Sequence, residues 1–249
     1  MRQRMVMGNW KMNGCLRSIE ALLLSLLESI PASQQSQCIV FPPAVYLSKV
    51  QALLSESTIH VGAQNVYPAD CGAFTGELSG PMLKEFNCQY VLVGHSERRY
   101  LLGESEKFVA KKFHHVKEHD MIPVLCVGET LAEREQGLTE KVILSQLQAV
   151  MHDKSDVFTR CVIAYEPVWA IGTGQTATAE QAQAVHEYIR KVIAVHEPQH
   201  SVRVPILYGG SVNESNARSL FSMADVDGGL VGGASLNARQ FVEIIKCIS

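Results

Sequence analysis

The regular alternation of strands with helices most constrains how this chain can fold. Short apolar runs rich in β-branched residues recur along its 249 residues, and each precedes a stretch whose apolar residues have helical spacing. Strands are predicted at residues 5–7, 38–41, 59–63, 90–93, 121–127, 161–165, 204–208 and 226–231. Helices are predicted at residues 16–30, 45–54, 81–86, 100–118, 131–151, 178–196, 214–221 and 238–248. Strands and helices in this order pair in parallel through right-handed crossovers.

Eight strand–helix units in a chain of this length have the dimensions of a closed (β/α)₈ barrel of the α/β class, with eight parallel strands. An open doubly wound sheet is the alternative, but it usually has fewer strands and a G-x-G-x-x-G after the first one. Here the first strand leads into Gly8-Asn-Trp-Lys11. No Pro/Ser linker or charge run marks a boundary, so one barrel domain is predicted over residues 1–249.

The charge balance and the cysteines restrict partners and compartment. The chain has 25 acidic and 22 basic residues, which argues against binding to nucleic acid or a polybasic membrane anchor. Its seven cysteines form no C-x-x-C pair, so neither a disulfide framework nor a zinc site is expected. The N-terminus lacks signal-peptide features, and the apolar stretch at residues 19–27 is shorter than the roughly 20 residues that span a bilayer. We therefore expect a cytoplasmic protein without a membrane segment.

An acid stands where the sixth strand ends. Glu166 follows the buried run at residues 161–165, and Pro167 after it prevents an immediate helix. Thr178 and Gln181 then form a capping box that starts the next helix. The connection between them is apolar but contains two glycines: Pro167, Val168, Trp169, Ala170, Ile171, Gly172, Thr173, Gly174, Gln175, Thr176 and Ala177. It is typical of a base under a lid, or alternatively of a plain strand–helix turn with a solvated glutamate.

The barrel hypothesis gathers other polar residues beside Glu166, because the loops after the strands share the face that holds active sites. Asn9 and Lys11 follow the first strand, and period-two alternation predicts that their side chains point the same way. His95 and Glu97 follow the fourth strand. Charges that converge on one barrel mouth are costly unless the site uses them. Lys11 could otherwise be a solvated lysine at a strand end.

Glycines after the seventh and eighth strands indicate an anion site. Gly209 and Gly210 precede Ser211, and Gly232 and Gly233 form the second pair. Phosphate often binds at this position of a barrel, where backbone N–H groups at a helix start can approach it closely. A small phosphorylated ligand is therefore predicted, although each Gly-Gly pair alone fits an ordinary turn.

From end to end the chain resembles the triosephosphate isomerase family, whose fold is the TIM barrel. The resemblance is carried by Gly8-Asn-Trp-Lys-Met-Asn13, Gly62-Ala-Gln-Asn65, Gly76-Glu77, Val93-Gly-His-Ser-Glu-Arg-Arg99, Cys126-Val-Gly-Glu129, Ala164-Tyr-Glu-Pro-Val-Trp-Ala-Ile-Gly-Thr-Gly174, Tyr208-Gly-Gly-Ser-Val212 and Leu230-Val-Gly-Gly-Ala-Ser235. It implies isomerisation between dihydroxyacetone phosphate and glyceraldehyde 3-phosphate, a reaction of glycolysis and gluconeogenesis, without a cofactor or metal.

The resemblance also implies roles for individual residues. Glu166 moves the proton, His95 donates hydrogen bonds to the substrate oxygens, and Lys11 with Asn9 stabilises the enediolate. Glu97 takes part in proton transfer or organises Lys11. The substrate-binding residues implied are Asn9, Lys11, Gly172, Ser211, Gly232 and Gly233.

Further implications concern the lid and the assembly. Residues 167–169 and 175–177 become the lid hinges, with Gln175 affecting only the opening rate and Tyr208 latching the closed form. The long loop from Asn65 to Ser79 resembles a dimer arm, with Thr75 reaching the partner's site and Cys15 near the arm. Loops of that length are otherwise uncommon in compact domains.

Several alternatives stay open at this point. A Schiff-base aldolase of the barrel type would want a lysine on an interior strand, and a noncatalytic phosphate-binding barrel or adhesin needs no acid–base set. Trp169 fits hinge packing as well as ligand contact. His115 and His119 are spaced as a metal pair but are interpreted as a solvated helix face, and Cys126 as a packed thiol.

Overall fold

Eight parallel strands close into a barrel in which each strand pairs with the next and β8 pairs with β1. The computed structural model describes residues 2–30, 34, 36–152, 155–171 and 175–248. The strands are β1 Met5–Asn9, β2 Gln37–Phe41, β3 Ile59–Ala63, β4 Tyr90–Val93, β5 Ile122–Val127, β6 Val162–Tyr165, β7 Ile206–Tyr208 and β8 Gly228–Val231. The predicted barrel and its strand order are confirmed.

Strand alternation divides the apolar residues between two cores. Met5 and Met7 of β1 point into the barrel, where they pack with residues such as Leu92 and Leu230. Val6, between them, points outward into the larger core beneath the helices. Nearly all strand positions on both faces are therefore buried, which explains why most strands are continuous apolar runs in the sequence.

The helices surround the barrel and mostly follow the predicted positions, but two short ones, Ser96–Tyr100 and Pro198–Ser201, lie almost wholly outside the predictions. The helices are α1 Leu16–Ser29, α2 Leu47–Leu54, α3 Gly80–Glu85, α4 Ser96–Tyr100, α5 Glu106–Glu118, α6 Leu131–Glu135, α7 Thr139–Met151, α8 Ala179–His196, α9 Pro198–Ser201, α10 Ala217–Phe221 and α11 Ala238–Lys246. Single 3₁₀ turns occur at Ala44–Tyr46, Val168–Ala170 and Gly233–Leu236.

The helix predicted at residues 131–151 is divided into α6 and α7 by Gly137, with φ of 69°. The helix predicted at residues 100–118 begins only at Glu106, after Gly103 with φ of 71°, and α4 lies almost entirely before the predicted start. A left-handed residue ends an α-helix, and glycine adopts that conformation at little cost. The prediction of one continuous helix over residues 131–151, and of a start at residue 100 for the other, was wrong because it followed apolar periodicity alone. Within the described ranges, no helix is both long and apolar enough to cross a membrane.

Candidate active site

Asn9 and Lys11 lie together at the barrel mouth, but strand alternation does not position them. β1 ends at Asn9, and Lys11 has a left-handed backbone with φ of 51°. The side-chain oxygen of Asn9 accepts a hydrogen bond of 3.0 Å from the Lys11 N–H, and Gln64 donates to the Lys11 carbonyl over 2.8 Å. The alternation argument was therefore wrong, and side-chain hydrogen bonds hold the turn. The Lys11 ammonium lies 2.6 Å from a carboxylate oxygen of Glu97.

His95 is the N-cap of α4, and this fixes its tautomer. Its Nδ1 accepts a hydrogen bond of 3.2 Å from the backbone N–H of Glu97, so Nδ1 carries no proton. A neutral ring must then hold its proton on Nε2, which faces Glu166 Oε1 at 3.1 Å. The imidazole is buried, and this arrangement presents a neutral N–H donor to the barrel mouth.

Glu166 lies at the end of β6 with only 2% of its surface exposed. One carboxylate oxygen faces His95, and the other accepts 2.9 Å from the backbone N–H of Ser96. Its own N–H bonds to the carbonyl of Val127 in β5. A buried carboxylate needs such donors, and here both belong to the start of α4. The solvated-glutamate alternative is therefore wrong.

Asn9, Lys11, His95 and Glu166 line one pocket of about 400 Å³, a size usual for small-molecule sites, whereas Glu97 lines a neighbouring one. Ser211, Gly232 and Gly233 line the first pocket as well, together with the apolar Ile171 and Leu230. A Cβ added at Gly233 would meet no atom within 4 Å, and at Gly232 it would meet only the end of the Lys11 side chain, at 3.6 Å. The backbone of Gly232 and Gly233 therefore borders open space, beside the Lys11 side chain and at the start of the 3₁₀ turn Gly233–Leu236. Such an arrangement can hold an anion.

The lid connection is tied down at both ends of its described part. Trp169 Nε1 donates to the buried carboxylate of Glu129 over 3.0 Å, and the guanidinium of Arg134 lies 4.4 Å from the centre of the indole ring. These contacts favour hinge packing for Trp169. The Ser211 hydroxyl donates 2.7 Å to the carbonyl of Ala170.

At the far end of the lid, the N–H of Ala177 donates 3.2 Å to the Tyr208 hydroxyl. Burial raises the pKa of this phenol, so it stays neutral and can accept that bond. The predicted latch partner therefore contacts the hinge at residues 175–177. The predicted phosphate contact Gly172, with Thr173 and Gly174, lies outside the described residues.

Glu129 is a site residue to which sequence reasoning assigned no role. It is fully buried after β5, and both of its oxygens lie 3.1 Å from the Tyr165 hydroxyl. Its backbone carbonyl accepts from Val168 N–H. The signal was present in Cys126-Val-Gly-Glu129, where an acid stands two residues after a buried strand, close to the pattern that singled out Glu166.

Two other expectations concern residues away from this pocket. Cys126 is buried in the barrel interior, and burial holds the pKa of its thiol well above the usual value, which agrees with a packed, unreactive thiol. The solvated-face interpretation of His115 and His119 is wrong for His115, whose side chain is only 8% exposed.

Taken together, the closed barrel and a mouth that holds an acid, a neutral imidazole, a lysine and a glycine-bordered anion space define an acid–base (β/α)₈ enzyme. A family model described as triosephosphate isomerase matches residues 4–248. The chain belongs to the triosephosphate isomerase family.

Relatives that carry this name match the chain along nearly its whole length. The triosephosphate isomerase of Legionella pneumophila strain Philadelphia 1 is 59% identical over 100% of both chains. That of Delftia acidovorans is 51% identical over 98% of each chain, and that of Nitrosomonas eutropha is 49% identical over 98% of this chain and 97% of its own.

Proposed function

We propose that the chain interconverts dihydroxyacetone phosphate and D-glyceraldehyde 3-phosphate by proton transfer through an enediolate. The observation that carries this proposal is the contact of 3.1 Å between the buried Glu166 carboxylate and the proton-bearing Nε2 of His95, in the pocket that Lys11 also lines. A base, a neutral hydrogen-bond donor and a cation at one pocket are what an enolisation needs. The reaction returns its proton to the same substrate, so it consumes no oxidant and needs no cofactor.

Each role follows from the surroundings of the residue. Glu166 takes the proton from the carbon beside the carbonyl and returns it to the neighbouring carbon. His95 donates from Nε2 to the substrate oxygens, and Lys11 with Asn9 stabilises the negative charge that develops there. Glu97, 2.6 Å from the Lys11 ammonium, positions that ammonium.

The phosphate rests on backbone N–H groups of Ser211, Gly232 and Gly233, and of Gly172 in the lid. The contact of Ser211 with the Ala170 carbonyl supports this arrangement, because it joins the phosphate loop to the lid. A closed lid keeps water from the enediolate, which would otherwise lose its phosphate. As one barrel domain over residues 1–249, the chain serves glycolysis and gluconeogenesis in the cytoplasm.

Replacement of Glu166 by glutamine tests the reaction. We expect turnover of glyceraldehyde 3-phosphate to fall by more than the roughly 10²- to 10⁴-fold credited to a general base. Beyond removing the base, Glu166→Gln turns an amide NH₂ toward one of two donors, the Ser96 N–H or His95 Nε2, and so disturbs the site. A coupled assay of wild type and Glu166→Gln measures this loss. Glu187→Gln, on the exposed side of α8, is the control.

The same assay separates the rival functions. Near wild-type turnover in Glu166→Gln would overturn the assignment. A wild-type protein that binds triose phosphate without turnover would be the noncatalytic barrel or adhesin. A Schiff-base aldolase needs a strand lysine that borohydride can trap, and the eight described strands carry none.

The chain forms a homodimer through the loop at residues 65–79. Every residue from 70 to 77 is exposed, Thr75 among them, although Tyr67 and Phe74 stack at 4.2 Å and hold the loop compact. A second pocket of about 410 Å³ opens beside Lys11 and Glu97, and the almost fully exposed Met12 lines it. An exposed compact loop and an apolar-rimmed pocket beside the site support an interlocking pair.

Sedimentation over a range of concentrations tests this assembly. Wild type should sediment as a dimer, whereas Thr75→Arg should shift the equilibrium to monomer and lower the activity, because the arm reaches toward the partner's site. Gln148→Arg, on the exposed side of α7, is the control and should remain dimeric. A fully active monomer at nanomolar concentration would refute the proposal.

A further inference from the structure

Asp70, His115 and His119 form a cluster apart from the pocket described above. The two histidines lie one turn apart near the end of α5, where residues four apart share a face. Asp70 reaches them from the loop between β3 and α3. Its Oδ1 lies 2.7 Å from His119 Nε2 and 3.8 Å from His115 Nε2, and one ligand atom from each residue fits within 4.8 Å of the others.

His115 is the residue that requires an explanation. Its side chain is only 8% exposed, yet its Nε2 is buried and has no hydrogen-bond partner among the described residues. Buried polar atoms in folded proteins are almost always partnered, because an unmet one costs free energy. Asp70 Oδ1 is hydrogen-bonded to His119 Nε2. His115 Nε2 lies near the same oxygen, at 3.8 Å, but too far for a hydrogen bond.

The immediate surroundings do not offer a better partner. The ring of His119 packs against that of His115 edge-on, with centroids 4.6 Å apart. Glu118 lies 3.8 Å from the other nitrogen, Nδ1, and its side chain is largely exposed. At Gly80, the first residue of α3, an added Cβ would overlap His119, so the absent side chain makes room for the ring.

We propose that Asp70, His115 and His119 bind one divalent transition-metal ion, with water in the remaining position. Two imidazole nitrogens and a carboxylate are a ligand set for Zn²⁺ rather than for Ca²⁺ or Mg²⁺, which prefer oxygen alone. At metal–ligand distances of about 2.0–2.2 Å, tetrahedral ligands lie roughly 3.3–3.5 Å apart. The separations of 2.7 and 3.8 Å bracket this value, and the largely exposed Asp70 side chain can rotate to equalise them.

The bound ion links the loop at residues 65–79 to α5. A metal that binds the folded chain and not the unfolded one raises its stability by mass action. Metal binding should therefore raise the melting temperature and restrain the loop. This consequence is independent of the proposed isomerase reaction, since none of the three ligands lines the active-site pocket.

Calorimetric titration of tag-free, chelator-treated protein with Zn²⁺ tests the site, with Co²⁺ absorption as a report on coordination. We expect one ion per chain, a tetrahedral Co²⁺ band and a Zn²⁺-dependent rise in melting temperature. Asp70→Asn and His119→Gln should each weaken binding at least about tenfold, since even loss of an outer-shell partner costs that much. His115→Gln should do the same, and the exposed Asp70 keeps the test decisive if that variant does not fold.

The control is Asp156→Asn. Asp156 is also largely exposed, and its carboxylate lies 3.4 Å from one histidine nitrogen, Nε2 of His200, instead of facing two histidines. It should bind Zn²⁺ as wild type does, as should Cys71→Ser beside Asp70. Saturable binding that persists in Asp70→Asn and His119→Gln, or that is lost in Cys71→Ser instead, would overturn the proposal. So would the absence of one-to-one binding by wild type.

Discussion

At the scale of single residues, two glycines decide where the Glu166 side chain can lie. A Cβ at Gly128 would overlap the Glu166 carbonyl, and a Cβ at Gly209 would lie 2.8 Å from Glu166 Cγ. Gly209 N–H also bonds to the carbonyl of Tyr165, which fixes the distance between the two strand ends. Only residues without a side chain let β5 and β7 approach the acid this closely.

Gly209→Ala should therefore disable the base without removing it. The added methyl would displace Glu166 from Ser96 N–H and His95, and misplacement by about 1 Å can cost roughly 10²-fold in rate. We expect kcat to fall by about that factor with KM changed less. Steady-state kinetics checks this, with Ser219→Ala on the exposed side of α10 as the control. Unchanged kcat in Gly209→Ala would contradict the argument.

The site residues that sequence could predict are those that follow strands. Glu166 follows β6 directly and His95 lies two residues after β4, so strand prediction and the barrel rule together located them. The left-handed turn at Lys11 and the burial of His115 were not predictable in the same way, since both depend on contacts distant in sequence. Gln64 holds the turn at Lys11, and Asp70 approaches His115 from another loop.

At the scale of elements, the strands were predictable and the helix breaks were not. Burial on both faces makes most strands continuous apolar runs, which located all eight. Their ends were less exact: β1 extends two residues beyond the prediction, and β7 and β8 begin two residues later. The predicted helix extended back from α7 to Leu131, but α6 has no buried residue and Leu131 is exposed. Gly137, whose backbone is left-handed, separates the two helices, and apolar periodicity does not report that conformation.

The lid is an element whose hinge depends on one acid. Glu129 is fully buried and accepts from the Trp169 indole, the Tyr165 hydroxyl and, at 3.3 Å, the Arg134 guanidinium. Hydrogen bonds to a charged group are worth about 1.5–3 kcal/mol each. Holding the indole in place thus holds the start of the lid.

Glu129→Gln should loosen this hinge. The amide has no charge, so the bonds that the indole and the Arg134 guanidinium donate to Glu129 become weaker bonds to a neutral oxygen. We expect kcat/KM to fall by about tenfold or more, the equivalent of one lost charged hydrogen bond. Acrylamide quenching of Trp169 in a Trp10→Phe background should increase in parallel. Glu135→Gln, exposed on α6, is the control, and equal quenching in both variants would count against the hinge assignment.

At the scale of the whole molecule, the layer where α8 meets the barrel disfavours the charged form of one histidine. His186 of α8 is fully buried where that helix meets the barrel. Its Nδ1 lies 3.2 Å from the Asp225 carbonyl, whereas its Nε2 has no hydrogen-bond partner among the described residues. Burial lowers the pKa of this histidine from 6.5 to about 4, because the charged ring would be desolvated. The fold therefore keeps this histidine neutral.

The sign of the resulting pH dependence follows from linkage. Between pH 6.5 and about 4 the unfolded chain binds a proton at His186 that the native chain does not, so the free energy of unfolding falls as pH falls. Above pH 6.5 His186 does not reduce the free energy of unfolding. Below that pH the free energy of unfolding falls by up to about 1.4 kcal/mol per pH unit, and the total loss down to about pH 4 is roughly 3 kcal/mol. Urea unfolding of wild type and His186→Gln at fixed protein concentration measures it, since the carboxylates common to both cancel in the difference. The wild type should lose stability more steeply than the variant across this window, and parallel curves would show that His186 titrates normally in the folded chain.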